Sequence, residues 1–276
     1  MAFKINLHIT EKCNYHCKYC FAHFGKSQDL PIKDWKSIID NIQRSGLVDS
    51  INFAGGEPIL YAGFPELVNY SYALGFRLSL ISNGSLLTNS ALIPSSLFRK
   101  MDTIGISVDS VNPRILRQLG CCDCAGNVLD LGKLKGILMY IRRENSKIRI
   151  KLNTVVTRIN LEESLTVLED ELSVNRWKFL RVKAFHKEGF SNKNLLIRDH
   201  EFNEFMERNQ RRRGESIQEA DLTRSYIVVD NQGNLLDNKG EGYSVIGNLL
   251  EEDFRAIFAR YPLDEEVYKS RYRDAA

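Results

Sequence analysis

Several features are scarce or missing in this sequence, and each absence excludes a class of protein. No apolar run approaches the roughly 18 residues of a membrane-spanning helix. The opening Met1-Ala2-Phe3-Lys4-Ile5-Asn6-Leu7-His8 has neither the basic head nor the unbroken apolar core of a secretory signal. A cytoplasmic protein with no membrane association is therefore expected. An excess of one charge is missing too. Lys plus Arg number 38 against 35 Asp plus Glu, a net +3, too little for a general polyanion binder. No direct nucleic-acid binding is expected, and the cluster Arg208, Arg211, Arg212 and Arg213 reads as a solvated helix end. No cysteine follows residue 124: the six are Cys13, Cys17 and Cys20, then Cys121, Cys122 and Cys124. Clustered thiols in a chain without an export signal point to metal chemistry rather than disulfides. With 276 residues, 43% of them hydrophobic, the chain can build a core that needs no covalent staples.

What is present is an alternation of strand-like and helix-like segments. Phe3 to Thr10 reads as a strand with Lys4, Asn6, His8 and Thr10 on one face and Phe3, Ile5, Leu7 and Ile9 on the other. Further strands are expected at Ser50–Ala54, Phe76–Ser82, Thr103–Val108, Ile148–Val156 and Arg176–Ala184. Helices are expected over Pro31–Arg44, Phe64–Leu74, Ser90–Lys100, Val128–Arg143 and Leu161–Leu172. About six β-then-α units imply a parallel sheet, either open and doubly wound or curling into a barrel, with its chemistry at the C-terminal strand ends. The tail departs from this pattern, with a hairpin around Asn231-Gln232-Gly233-Asn234 and a short helix near Glu251–Phe258.

The segment Cys13-Asn14-Tyr15-His16-Cys17-Lys18-Tyr19-Cys20 follows directly on the first strand. Three thiolates with three and two residues between them can hold three irons of a [4Fe–4S] cube and leave the fourth iron open to a small molecule. A structural zinc site is the alternative, with His16 or His23 as fourth ligand. Gly55-Gly56-Glu57-Pro58, Ser82-Asn83-Gly84 and Ser107-Val108-Asp109-Ser110 each end one of the next three strands. Together these four stations resemble the radical S-adenosylmethionine (SAM) superfamily. That resemblance implies an α/β fold, a partial (βα)6 TIM-like barrel, with residues 1–215 as the barrel and 216–276 as an extension closing over the site within one structural domain. It implies two cofactors, a [4Fe–4S] cluster on Cys13, Cys17 and Cys20, and SAM. Tyr19, Phe21, Gly55, Gly56, Glu57, Asn83 and Ser107 form the implied SAM set. The cluster would give SAM an electron, and the resulting 5′-deoxyadenosyl radical would take a substrate hydrogen.

The resemblance narrows further. Ile5-Asn6-Leu7-His8-Ile9-Thr10, Ile51-Asn52-Phe53-Ala54, Ser82-Asn83-Gly84-Ser85-Leu86, Lys151-Leu152-Asn153, Arg176-Trp177-Lys178-Phe179 and Ser225-Tyr226-Ile227 are similar to the viperin family. Viperins dehydrate a ribonucleoside triphosphate to its 3′-deoxy-3′,4′-didehydro form, a terminator of viral RNA chains. The resemblance implies CTP, UTP or GTP as substrate, a one-electron donor such as flavodoxin or ferredoxin, and a monomer. It places Tyr226 at the triphosphate as a catalytic and substrate-binding residue. Strand geometry points to a polyphosphate independently. Side chains two apart share a face, so Lys151 and Asn153 point together, as do Arg176 and Lys178 on the next strand. Converging buried cations would be costly without an anion, although pairing with carboxylates or an outward orientation is the plainer alternative. His8 and Asn52 complete the expected substrate set. Three positions depart from the family pattern: Ser50 stands where viperin has a lysine, Ala54 where it has a serine, and Cys121 where it has an arginine. Arg117, one helical turn before Cys121, is positioned to compensate for that arginine. The competing readings are a radical SAM enzyme acting on a deazapurine or GTP-derived molecule, and a non-catalytic iron–sulfur or zinc protein.

Overall fold

A computed structural model describes residues 2–20, 28–187, 190–209, 214–217, 223–239 and 242–272. The first half runs β1 (Phe3–His8), α1 (Ile32–Ser45), β2 (Val48–Ala54), α2 (Phe64–Ala73), β3 (Arg77–Ser82), β4 (Thr103–Ser107), α3 (Pro113–Leu119) and α4 (Leu131–Glu144). It continues through β5 (Arg149–Val156), α5 (Thr166–Glu171), β6 (Arg176–Arg181), the small pair β7 (His186–Lys187) and β8 (Phe190–Ser191), α6 (Asp199–Asn209) and β9 (Gly214–Ile217). The tail supplies β10 (Ile227–Val229), β11 (Asn234–Asp237), β12 (Ser244–Asn248), α7 (Phe254–Ala259) and α8 (Glu265–Tyr272). Among the described residues, no helix is long and apolar enough to cross a membrane.

The six expected strands pair in sequence order, all parallel, inside one sheet ordered β12-β11-β10-β1-β2-β3-β4-β5-β6-β9. Among the described residues the sheet runs from β12 at one edge to β9 at the other, as an incompletely closed barrel does. The tail is more deeply involved than a hairpin lying over the site. Strand β10 joins β1 in parallel and β11 then turns back antiparallel to it.

The pleat separates two environments. On β1, Ile5 and Leu7 are fully buried under the helices, while Lys4, Asn6 and His8 face the lumen. Helix α1 presents Trp35, Ile38, Ile39 and Ile42 to the core, the i, i+3, i+4, i+7 stripe of an amphipathic helix, and ends on Gly46 in the left-handed conformation. On β6, Trp177 and Phe179 lie outward with rings 4.6 Å apart, and Phe179 meets Phe205 of α6 edge-on at 5.7 Å.

Several expected elements need correction. Ser90–Lys100 is not an α-helix: turns lead to Pro94, which has no N–H to donate, and only a 3₁₀ helix, Ser95–Lys100, follows it. The helix expected over Leu161–Leu172 shrinks to α5, and the strand expected to reach Ala184 stops at Arg181. Helix α3 adds to the expected elements, with Asn112 capping the Arg114 N–H and Pro113 in the first turn. Arg208 pairs with Glu162 at 3.0 Å, as a solvated helix end does, and Arg211, Arg212 and Arg213 lie outside the described residues.

Trp177 is 1% exposed and donates its indole N–H to Thr154 Oγ1 at 2.9 Å. Trp177→Ala should therefore cost about 3–5 kcal/mol of unfolding free energy, read by urea denaturation. A loss under about 1 kcal/mol would contradict this packing.

Candidate active site

The lumen opens into a cavity of about 400 Å³ whose wall carries Cys13, Cys17 and Cys20 at one end. The loop that holds them is seated by backbone contacts. His16 N–H donates to the Gly120 carbonyl at 3.0 Å and Lys18 N–H to the Leu119 carbonyl at 2.9 Å. Gly120 lies at φ 78°, and a Cβ there would come within 2.1 Å of the His16 carbonyl oxygen. From the other side, Gly56 N–H donates to the Thr10 carbonyl and Glu57 N–H to the Lys12 carbonyl, both at 2.7 Å. A Cβ on Gly56 would sit 2.2 Å from the Lys12 oxygen. The glycine pair thus admits the cysteine loop itself, besides lining the cavity as expected.

Three thiols on one loop, aimed at one cavity, are the donor set of a cubane. Cys13 Sγ receives the Tyr15 N–H at 3.4 Å and lies 3.8 Å from Asn83 Nδ2. Burial pushes the Cys13 thiol up to about 11, whereas a thiol that coordinates a metal is deprotonated. Of the candidate zinc ligands, His16 is exposed and His23 lies outside the described residues, as does Phe21.

Glu57 does not reach the cavity wall. It is 0% exposed, accepting from Ser82 Oγ at 3.0 Å, the Asn83 N–H at 2.8 Å and the Ile59 N–H at 3.3 Å. Its carboxyl joins the ends of β2 and β3, and through Asn83 it steadies the cysteine loop, because Asn83 Nδ2 also donates to Asn14 Oδ1 at 2.9 Å. Ser107 and Asn83 do line the cavity.

Two residues that sequence reasoning did not assign to the site belong to it. Asp109, just past β4, is buried. It accepts the Tyr19 hydroxyl and, at 2.6 Å, the Val155 N–H. Burial raises its carboxyl above the usual range, against the pull of those two donors and of Cys121. Cys121 is buried with its sulfur 3.6 Å from Cys17 Sγ and 3.5 Å from the Tyr19 hydroxyl. Tyr19 thus ties the cysteine loop to β4 and β5. Arg117 does not compensate for Cys121: it is exposed, bonds the Gly126 carbonyl at 3.0 Å and takes no part in the wall.

The expected nucleotide set converges. Lys151 is in register with Arg176, and Asn153 with Lys178, so β5 and β6 present two adjacent rows to the cavity that the cysteines enter. Lys178 is only 4% exposed. His8 and Asn52 also line the cavity. Burial lowers His8 to about 4, so it is neutral near pH 7. Asn52 spends its amide on neighbours, donating to Asn6 Oδ1 and accepting from Ser79 Oγ, both at 2.9 Å. Tyr226 enters the wall from the tail, its carbonyl held by the Tyr261 hydroxyl at 2.5 Å. The turn before it is fixed by Arg224, which pairs with Asp237 at 2.9 Å.

The family model described as Radical SAM superfamily matches residues 7–123. A protein of Selenomonas ruminantium named S-adenosylmethionine-dependent nucleotide dehydratase is 54% identical over 272 residues, 99% of each chain. One of the same name from Psychrobacter lutiphocae is 32% identical over 301 residues, covering 99% of this chain and 95% of the other. This chain belongs to the viperin-like nucleotide dehydratases. It is a radical SAM enzyme of that family and uses a [4Fe–4S] cluster and SAM. The fold agrees. Streptococcus suis SuiB, solved bound to S-adenosylmethionine, superposes with a TM-score of 0.67 at 15% identity, over 98% of this chain and 67% of that one.

The buried Glu57 and His8 have opposite pH signatures. Burial raises Glu57 from 4.5 to about 7, so its contribution to stability is complete below pH 4.5 and is lost as pH rises through 7. Burial lowers His8 from 6.5 to about 4, so its contribution is complete above pH 6.5 and is lost as pH falls toward 4. Glu57→Gln should cost about 1–3 kcal/mol, because an amide cannot accept from all three donors. It should also remove the first slope, so that the variant's Tm climbs more steeply than the wild type's between pH 4.5 and 6.5. Parallel Tm profiles would contradict the assignment.

Proposed function

We propose that this chain dehydrates a ribonucleoside triphosphate to its 3′-deoxy-3′,4′-didehydro analogue, a chain terminator serving antiviral defence. The observation that carries this reading is the convergence of Lys151, Asn153, Arg176 and Lys178, on two adjacent strands, upon the cavity that the three cysteines enter. The names of the two relatives support a nucleotide as substrate.

Cys13, Cys17 and Cys20 would hold the cluster. When bound, the cluster and SAM supply the 5′-deoxyadenosyl radical that takes the ribose C4′ hydrogen. The nucleotide radical then loses its 3′-hydroxyl as water, taking up one proton and one electron, which balances to the net loss of one water. The cations hold the phosphate chain and so fix the ribose against sliding, which is how remote binding serves the reacting centre. Lys178, buried as it is, meets a phosphate with little competition from water, where charge-assisted hydrogen bonds are strongest. His8 is neutral and offers the sugar one donor and one acceptor. Tyr226 contributes a hydroxyl from the tail side, and Asn153 an amide. The backbones of Gly55 and Gly56, with Asn83 and Ser107, face SAM.

In this reading residues 1–215 form the barrel and 216–276 the extension that closes it. The enzyme works as a cytoplasmic monomer, and the external electrons come from a flavodoxin or ferredoxin.

The site of hydrogen abstraction has a direct readout. With a 4′-deuterated ribonucleoside triphosphate that the enzyme accepts, the 5′-deoxyadenosine released should gain one deuterium, measured by mass spectrometry. Unlabelled 5′-deoxyadenosine formed alongside a dehydrated nucleotide would contradict abstraction at C4′.

A further inference from the structure

The lumen holds a cation that the phosphate set above does not include. Lys4 is the second residue of β1 and lines the cavity on the same face as Asn6 and His8. It lies four residues from His8, about 13 Å toward the strand starts at roughly 3.3 Å per residue, on the side away from the cysteines. Arg149 and Arg176, at the starts of β5 and β6, enter the same cavity wall.

The ammonium of Lys4 makes few hydrogen bonds for its donor count. Among the described residues, its ammonium has one hydrogen-bond acceptor, Ser79 Oγ at 3.3 Å, although an ammonium carries three donors. That serine is the end of a lumen chain in which Ser79 donates to Asn52, Asn52 to Asn6, and Asn6 to the Ile227 carbonyl at 3.0 Å. The chain spans β3, β2, β1 and β10, and the ammonium meets it at Ser79. Burial, reinforced by the Arg77 and, more weakly, the Arg176 charges, lowers Lys4 to about 8, while Asp102 and Asp49 pull the other way. Arg77 is itself committed to Asp49 at 2.8 Å.

The strand register gives Lys4 a small, uncharged neighbour. Lys4 on β1 is paired with Ser50 on β2. Ser50 turns its hydroxyl to Asp49 at 2.7 Å.

We propose that Lys4 is a substrate-positioning residue that binds the terminal phosphate of the nucleotide at the strand-start end of the lumen. The assignment rests on the triphosphate reading above. With the ribose held near the cysteines for radical chemistry, the end of the phosphate chain is the part of the substrate farthest from them. Lys4 thereby distinguishes a triphosphate from a diphosphate.

The test uses the reconstituted holoenzyme with SAM, kept anaerobic. Binding constants are measured by calorimetry for CTP, UTP and GTP and for the matching diphosphates, on wild type, Lys4→Gln and the charge-retaining Lys4→Arg. For the triphosphate that wild type binds, Lys4→Gln should lose about tenfold or more in affinity, as for a lost charge-assisted hydrogen bond. Its diphosphate and SAM affinities should stay within about twofold, a change smaller than one such bond produces, while Lys4→Arg keeps most of the triphosphate preference. An unchanged preference in Lys4→Gln, or an equal loss of both nucleotides, overturns the role of Lys4. If Lys4→Gln does not fold, Lys4→Met takes its place, with the same loss of about tenfold in triphosphate affinity expected and an unchanged preference overturning the proposal. Failure of wild type to bind any triphosphate would instead overturn the proposed function.

Discussion

In-register parallel pairing is the constraint on which the rest of this structure depends. Every lumen-facing side chain is two residues from the next along its strand, and parallel neighbours keep those residues level with one another. Lys151 lies beside Arg176, Asn153 beside Lys178, and Lys4 beside Ser50. The barrel therefore arranges its chemistry in tiers, with thiols and glycine turns at the C-terminal strand ends and cations lower down. A slip of one residue on β6 would turn Arg176 and Lys178 outward and drive Trp177 and Phe179 into the lumen. The apolar outer face prevents that slip, so the packing of the core and the polarity of the site are specified together.

The cysteine loop illustrates a second economy. Its own short sequence forms no regular element, so its shape comes from what it touches. Backbone hydrogen bonds seat it on Gly56 and Glu57 at one side and on Leu119 and Gly120 at the other. Tyr19, through Asp109, fastens it to β5. Residues far apart in sequence thus define one rigid cradle, as a cofactor site requires if its reactive atoms are to be held within a fraction of an ångström.

Much of this was legible in the sequence, for reasons that can be named. The alternation of Lys151-Leu152-Asn153 and Arg176-Trp177-Lys178 shows on its own which side chains share a face, and the structure turns both sets into one cavity. The cysteine spacing and the strand-end motifs identified the superfamily because each motif follows directly on a strand. What escaped notice depends on contacts between distant segments. Glu57 follows the glycine pair as a ligand residue would, but its carboxyl is taken up by Ser82 and Asn83 at the end of β3 and by the Ile59 N–H of its own segment. Asp109 stands in a strand-end motif and Cys121 in the second cysteine cluster, but only their approach to Tyr19 and Cys17 ties them to the cysteine loop. Lys4 was already visible on the polar face of β1, but its partner position on β2 emerges only from the strand register. The break at Pro94 was local and could have been read from the sequence.

The most direct test of a lumen shared by radical chemistry and a triphosphate is made under anaerobic conditions. The cluster is reconstituted and reduced, SAM is added, and each ribonucleoside triphosphate is tested separately for 5′-deoxyadenosine formation and nucleotide mass. The arrangement of cysteines and cations around one cavity predicts a triphosphate that stimulates SAM cleavage and is recovered lighter by one water. Cleavage at the same rate with and without every triphosphate, each recovered unchanged in mass, would contradict it.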